Sequence, residues 1–258
     1  MSILLNHGIL SNSPEVKMKR REFINQSAGL GVLVAAGSLA PALLSANSLP
    51  SAAKKLTPPA KGKIPVAFTI SEGVTVIDFA GPWEVFQDVM ITTRGSNHDD
   101  HMPFQLYTVS ETTEPLRGSA GLQLVPDYTF DSAPQPKVIV VPAQRGGKAL
   151  HAWLRKMSAS TDVIMSVCTG AFQLGSAGLL TGKSATTHHD FFDQFAQAFP
   201  DVRLKRGLRF VEEEEVSSAG GLTSGIDLAL RVVERYFGRE VAQTTATYME
   251  YQSKGWIV

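Results

Sequence analysis

The 258-residue chain is 43% hydrophobic, ample for a buried core in one large or two small domains. Its 24 Lys and Arg residues balance 24 Asp and Glu, so the charge supplies no attraction toward nucleic acid or an anionic membrane surface. A single cysteine, Cys168, excludes an internal disulfide in any compartment.

At the N-terminus, Lys19 to Ile24 read KRREFI, and a mildly apolar, Gly- and Ala-rich stretch follows from Ser27 to Ala46. The pair Arg20–Arg21 with this stretch resembles a bacterial twin-arginine signal peptide. Gly29, Gly31, Gly37 and Pro41 interrupt the stretch and make it a poor membrane span, although an uncleaved anchor is the rival reading. Candidate cleavage points follow Ala42, Ala46 or Ala53, and Met18 is an alternative start. The implied organisation is a signal peptide over 1–46, extending up to 53, a linker over 47–63 and one domain over 64–258. Export would involve the twin-arginine translocase, place the mature protein in the periplasm and leave no stable membrane association after processing. Loss of residues 1–46 removes four basic and two acidic residues, leaving 20 against 22 and a net charge of minus two.

From Ile64 the pattern alternates between β-rich runs and helical stretches. IPVAFTI (64–70) reads as a buried strand, and Gly81 and Pro82 open a helix over Trp83 to Met90. FQLYTVS (104–110) is a second strand, a hairpin is expected between Ser119 and Phe130, and KVIVV (137–141) suits a sheet centre. A helix over Lys148 to Met157 precedes the strand DVIMSV (162–167) and a helix from about Thr169 to Ala177. SATT reads as a strand, Asp190 to Ala198 as a helix, and Arg209 to Ser218 as a strand pair. Two helices close the pattern, Ile226 to Phe237 with Ser224 as N-cap and Arg239 to about Gln252. This rhythm predicts an α/β fold, a three-layer α/β/α sandwich with a mostly parallel sheet.

In that arrangement Cys168 ends a central strand and begins a helix, the edge where open α/β sheets gather ligands. A helix N-terminus favours thiolate, so the position predicts a thiol pKa below its free value of about 8.5. Gly170 relieves crowding after the turn, as in other nucleophile elbows. The competing reading is a small buried hydrophobe, the commonest fate of a free cysteine.

SVCTGAFQLGSAGLLTGKSATTHH (166–189), VIDFAGPWEVF (76–86) and SSAGGLTSGIDLALRVVERYFG (217–238) tip that balance. Together they resemble the ThiJ/PfpI superfamily, related to class I glutamine amidotransferases, and within it the isonitrile hydratase branch. The resemblance implies a flavodoxin-like fold with a nucleophile elbow, a homodimer, and a lyase that hydrates an isonitrile to an N-substituted formamide. The catalytic residues it implies are Cys168 as nucleophile, Asp78 as proton-transfer partner and Thr169 beside them, without metal or organic cofactor. A carboxyl group exchanges protons with a thiol or substrate, and an adjacent hydroxyl holds an intermediate or a water. His188 matches a family histidine and serves as site wall or base. Where relatives carry a Gly-Gly turn, this chain has Ala143 and Gln144, whose amides are candidates for an oxyanion or substrate pocket with Gly170, and whose Gln144 and Arg145 side chains add polar groups toward the site.

Other readings stay beside these. Asp78 also suits a helix cap, and Thr169 an early helix residue bonding its own backbone. NHDDH (97–101) reads as a solvated loop rather than a metal site. Functionally, an enzyme acting on reactive carbonyls or small amides and a non-catalytic ligand-binding or sensing domain are the alternatives. With Val258 following the last predicted helix and with export expected, no nucleic-acid partner is anticipated; the expected partner is a small-molecule substrate.

Overall fold

The structure, a computed structural model, describes residues 54–258, so the segment read as a signal peptide lies outside the described residues. Its strands are β1 (Ile64–Thr69), β2 (Phe104–Ser110), β3 (Leu116–Arg117), β4 (Gln123–Leu124), β5 (Tyr128–Thr129), β6 (Val138–Val141), β7 (Val163–Val167), β8 (Ser184–Ala185), β9 (Arg203–Leu204), β10 (Phe210–Glu212) and β11 (Val216–Ala219). The helices are α1 (Val76–Gln87), α2 (His98–His101), α3 (Lys148–Ser158), α4 (Gly170–Ser176), α5 (Phe192–Ala198), α6 (Ser224–Phe237) and α7 (Arg239–Tyr248). Seven strands form one sheet in the order β10-β11-β7-β6-β1-β2-β5, parallel throughout except for the β10–β11 pair. The expected flavodoxin-like three-layer sandwich is the observed architecture.

Alternation along the strands divides the core in two. Val66 and Phe68 of β1 and Met165 and Val167 of β7 face Val85 and Phe86 of α1 and the apolar stripe of α6. Ala67, Ile139, Val141 and Ile164 face the other way, toward Trp153 and Leu154 of α3, Leu174 of α4 and Phe195 of α5. Because β6 and β7 are covered on both faces, their side chains are all buried, as continuous apolar runs require. Residues read as linker lie against this domain: Leu56 is buried, its N–H donates to the Arg235 carbonyl at 2.8 Å, and Arg235 Nε donates to the Lys54 carbonyl at 3.1 Å.

Several elements differ from the sequence reading. α1 begins at Val76 and carries Pro82 inside it, so Asp78 stands in a helical first turn rather than on a loop. The hairpin pairs β3 with β4, whereas Tyr128–Thr129 joins the main sheet beside β2. β8 pairs with β9 in a separate two-stranded sheet. Ser224 is the first helical residue of α6, with Thr223 at the cap position, and α7 stops at Tyr248. NHDDH forms the one-turn helix α2, capped by the Asn97 side chain on the Asp100 N–H, with every residue of the turn outside the core. Among the described residues no helix is long and apolar enough to cross a membrane.

Candidate active site

The carboxyl ends of β1, β6, β7 and β11 converge on Cys168. This residue occupies the turn between β7 and α4 with φ at 58°, the left-handed region that costs an L-residue about 1–2 kcal/mol. Its neighbours determine the conformation: the Cys168 N–H donates to the Gly220 carbonyl at 2.7 Å, and its own carbonyl accepts from Thr187 Oγ1 at 2.9 Å. Such strain aims a side chain out of the strand and over the sheet edge. Gly170, the first residue of α4, is required by close approach. A Cβ there would run into the Val141 carbonyl oxygen and lie 2.9 Å from that of Pro142.

Asp78 is fully buried and fixed from across the sheet. Its Oδ2 accepts from the Ala143 N–H at 3.1 Å, while the Ala143 carbonyl accepts from the Thr75 N–H at 2.8 Å, so the turn after β6 and the start of α1 hold each other. Oδ1 has no hydrogen-bond partner among the described residues. Burial pushes the Asp78 carboxyl up to about 6, against the opposing pull of the Ala143 N–H, the Cys168 thiol and the Leu222 N–H.

The thiol corrects the sequence expectation. Burial, reinforced by the Asp78 carboxylate, pushes Cys168 up to about 11, outweighing the Thr169 and Leu222 N–H groups and the Thr169 hydroxyl that favour thiolate. Desolvation and a neighbouring negative charge therefore exceed the helix-terminus effect. At neutral pH the pair holds one proton, on sulfur, with Asp78 largely ionised beside it.

Thr169 sits at the cap position of α4 without capping it, which leaves its hydroxyl to Cys168. Neither Ala143 nor Gln144 adopts positive φ, so this turn needs no glycine pair; the left-handed residue comes later, at Gly146 with φ 62°. The pocket expected from these two residues is altered on two counts. The Ala143 backbone N–H is committed to Asp78, and the Gln144 side chain turns inward, its Nε2 donating to Thr69 Oγ1 at 2.8 Å and the Thr69 carbonyl at 3.1 Å. The carbonyl of Gln144 is held by Gln173 Nε2 at 3.2 Å. His188 makes no hydrogen bond to Cys168 among the described residues; its Nδ1 accepts from the Asp190 N–H at 3.2 Å. With His189 and Asp190 it brings three potential metal-ligand atoms within 4.8 Å of one another, an arrangement explained by that bond and by a 3.0 Å contact from His189 Nδ1 to Asp190.

Sequence reasoning did not assign Leu222 to the site. Its N–H addresses both Cys168 and Asp78, and its own φ is 55°. A backbone amide has no residue-type signature, and the available signal was the Gly220–Gly221 pair between a strand and a helix.

A doubly wound parallel sheet with a strained cysteine at a strand-to-helix turn and a buried carboxyl beside it defines an α/β protein of the nucleophile-elbow class. The chain belongs to the DJ-1/PfpI family, whose sequence profile matches residues 65–235. It is 31% identical to isonitrile hydratase from Pseudomonas putida over 192 residues, covering 72% of this chain and 78% of the relative. The HTH-type transcriptional regulator GbdR from Pseudomonas aeruginosa is 28% identical over 154 residues, which span 58% of this chain and 42% of the regulator. Among solved structures, a ThiJ/PfpI family protein from Pseudomonas syringae superposes with a TM-score of 0.63 at 26% identity, over 82% of this chain and 85% of that one.

Proposed function

We propose that the chain is a cysteine-dependent lyase that hydrates an isonitrile to an N-substituted formamide. The observation that carries this reading is the buried Asp78 carboxyl, poised at about 6, next to the only thiol in the chain. A group titrating there takes and returns protons at neutral pH, as general acid–base catalysis requires. Asp78 accepts the Cys168 proton as sulfur attacks the terminal isonitrile carbon, then delivers it to that carbon, giving a thioimidate. Water adds to the thioimidate carbon, with Asp78 taking its proton. Collapse breaks the carbon–sulfur bond, nitrogen and sulfur end protonated, and the sum is isonitrile plus water to formamide. The Thr169 hydroxyl and the Thr169 and Leu222 N–H groups stabilise negative charge on sulfur along this path.

The similarity to a transcriptional regulator keeps ligand binding without turnover as a second reading. Cyclohexyl isocyanide, methylglyoxal and simple amides, offered separately to the mature protein with products followed by NMR, separate the classes. Formamide from the first compound alone supports the hydratase. Turnover of the others alone, or tight binding without product, rejects it. Export by the twin-arginine route, a periplasmic working place and a homodimer complete the proposal.

A further inference from the structure

His188 lies beside the elbow without touching its chemistry, and what its ring does touch is informative. The side chain is 17% exposed, stacks on His189 with centroids 4.4 Å apart, and meets Phe191 edge-on at 5.9 Å. Because Nδ1 accepts from the Asp190 N–H, neutral His188 carries its proton on Nε2. The opposite edge of the ring, Cδ2 and Nε2, packs on Gly221. A Cβ at Gly221 would run into Cδ2 and lie 2.9 Å from Nε2. Gly221 does not adopt the left-handed conformation, and the three atoms nearest a side chain there all belong to the His188 ring.

The segment so clamped carries two parts of the site. Gly220 supplies the carbonyl that holds the strained Cys168 N–H at 2.7 Å, and Leu222 supplies an amide facing the thiol and Asp78. The carbonyls of Gly221 and Leu222 also accept from Ser224 and Gly225 at 3.2 and 3.1 Å, so the turn is continuous with the start of α6. We infer that His188 is a positioning residue: its ring, seated on Gly221, fixes the Gly220–Leu222 turn against the elbow, and it transfers no proton to Cys168. The inference refines the proposed active site but does not depend on isonitrile chemistry, because alkylation of Cys168 reports the turn directly.

The test compares His188→Ala, His188→Phe, Gly221→Ala and the double variant Gly221→Ala/His188→Ala. Iodoacetamide alkylation is followed across pH, alongside kcat and KM for cyclohexyl isocyanide. Displacing the Leu222 amide weakens thiolate stabilisation, so Gly221→Ala should alkylate about tenfold more slowly at fixed pH, equivalent to moving the profile up by about one pH unit. In the double variant the methyl enters space left by the ring, and much of that loss is recovered, a non-additivity expected of groups in contact. His188→Phe, which keeps a ring and no titrating nitrogen, should recover most of the loss seen in His188→Ala. In the turnover arm Gly221→Ala lowers kcat more than it changes KM. A double variant slower than either single variant, or His188→Phe as slow as His188→Ala, overturns the inference; the His188 comparison decides it alone if Gly221→Ala does not fold. Absence of wild-type turnover rejects the hydratase reading instead and leaves the alkylation arm intact.

Discussion

Replacing Asp78 by Asn should make the protein more stable and less active at once. The carboxyl stands at about 6 in the fold, against its ordinary value of 3.8 in the unfolded chain. The folded state therefore holds the proton more tightly, and the corresponding stability is present at low pH and lost as pH rises from about 4 through 6. At 1.36 kcal/mol for each pH unit, ionised Asp78 costs the fold about 3 kcal/mol above that window. Asparagine is isosteric and uncharged; its carbonyl oxygen can keep the 3.1 Å bond from the Ala143 N–H, and its amide replaces Oδ1, which has no conventional partner. For a domain of about 200 residues this corresponds to a rise in Tm of roughly 6–10 °C at about pH 7.5. Thermal and urea unfolding at about pH 7.5 and pH 4.5 measure it, with the gain shrinking at the lower pH. The same variant should lose about 10² to 10⁴ in turnover, because an amide exchanges no proton at this step. A destabilised Asn variant at neutral pH, or a gain equal at both pH values, would refute the claim that the buried charge of Asp78 opposes folding.

Four further outcomes are expected. Since burial and Asp78 push the Cys168 thiol up to about 11, alkylation of the wild type should keep accelerating through about pH 10; a plateau below about pH 9 would mean that the local amides outweigh burial. Gly170→Ala forces a methyl into the Val141 carbonyl and should cost about 3 kcal/mol in urea unfolding, together with the elbow's alkylation rate. Leu56→Ala, which empties the anchor of the segment before β1, should cost about 2 kcal/mol, and unaltered stability would detach that segment from the domain. Arg20→Lys with Arg21→Lys should strand the precursor in the cytoplasm by cell fractionation, and unchanged export would sink the twin-arginine assignment.

Much of the fold was legible because parallel strands covered on both faces must be apolar throughout. KVIVV and DVIMSV could hardly be anything but the sheet centre, and the turn at Cys168 followed from an apolar strand running into a Gly-containing helix start. The pairing of the shortest strands was less legible: Tyr128–Thr129 and Ser184–Ala185 are too short to carry a pattern of their own, so partners far along the chain decide their place. The same division runs through the site. Residue types identified Cys168, Asp78 and Thr169 as candidates, since thiol, carboxyl and hydroxyl announce their chemistry in any alphabet. Their energetics depended on what folding packs around them. A helix start argues for a thiolate, but burial raises both Cys168 and Asp78, and the approach of the carboxylate raises the thiol further; neither burial nor approach is a local property of sequence. The Gln144 side chain could equally have faced the substrate until Thr69, 75 positions away, claimed it. Local pattern thus determined which groups could react, while contacts between distant segments, through desolvation and the Leu222 amide, decided where the proton rests.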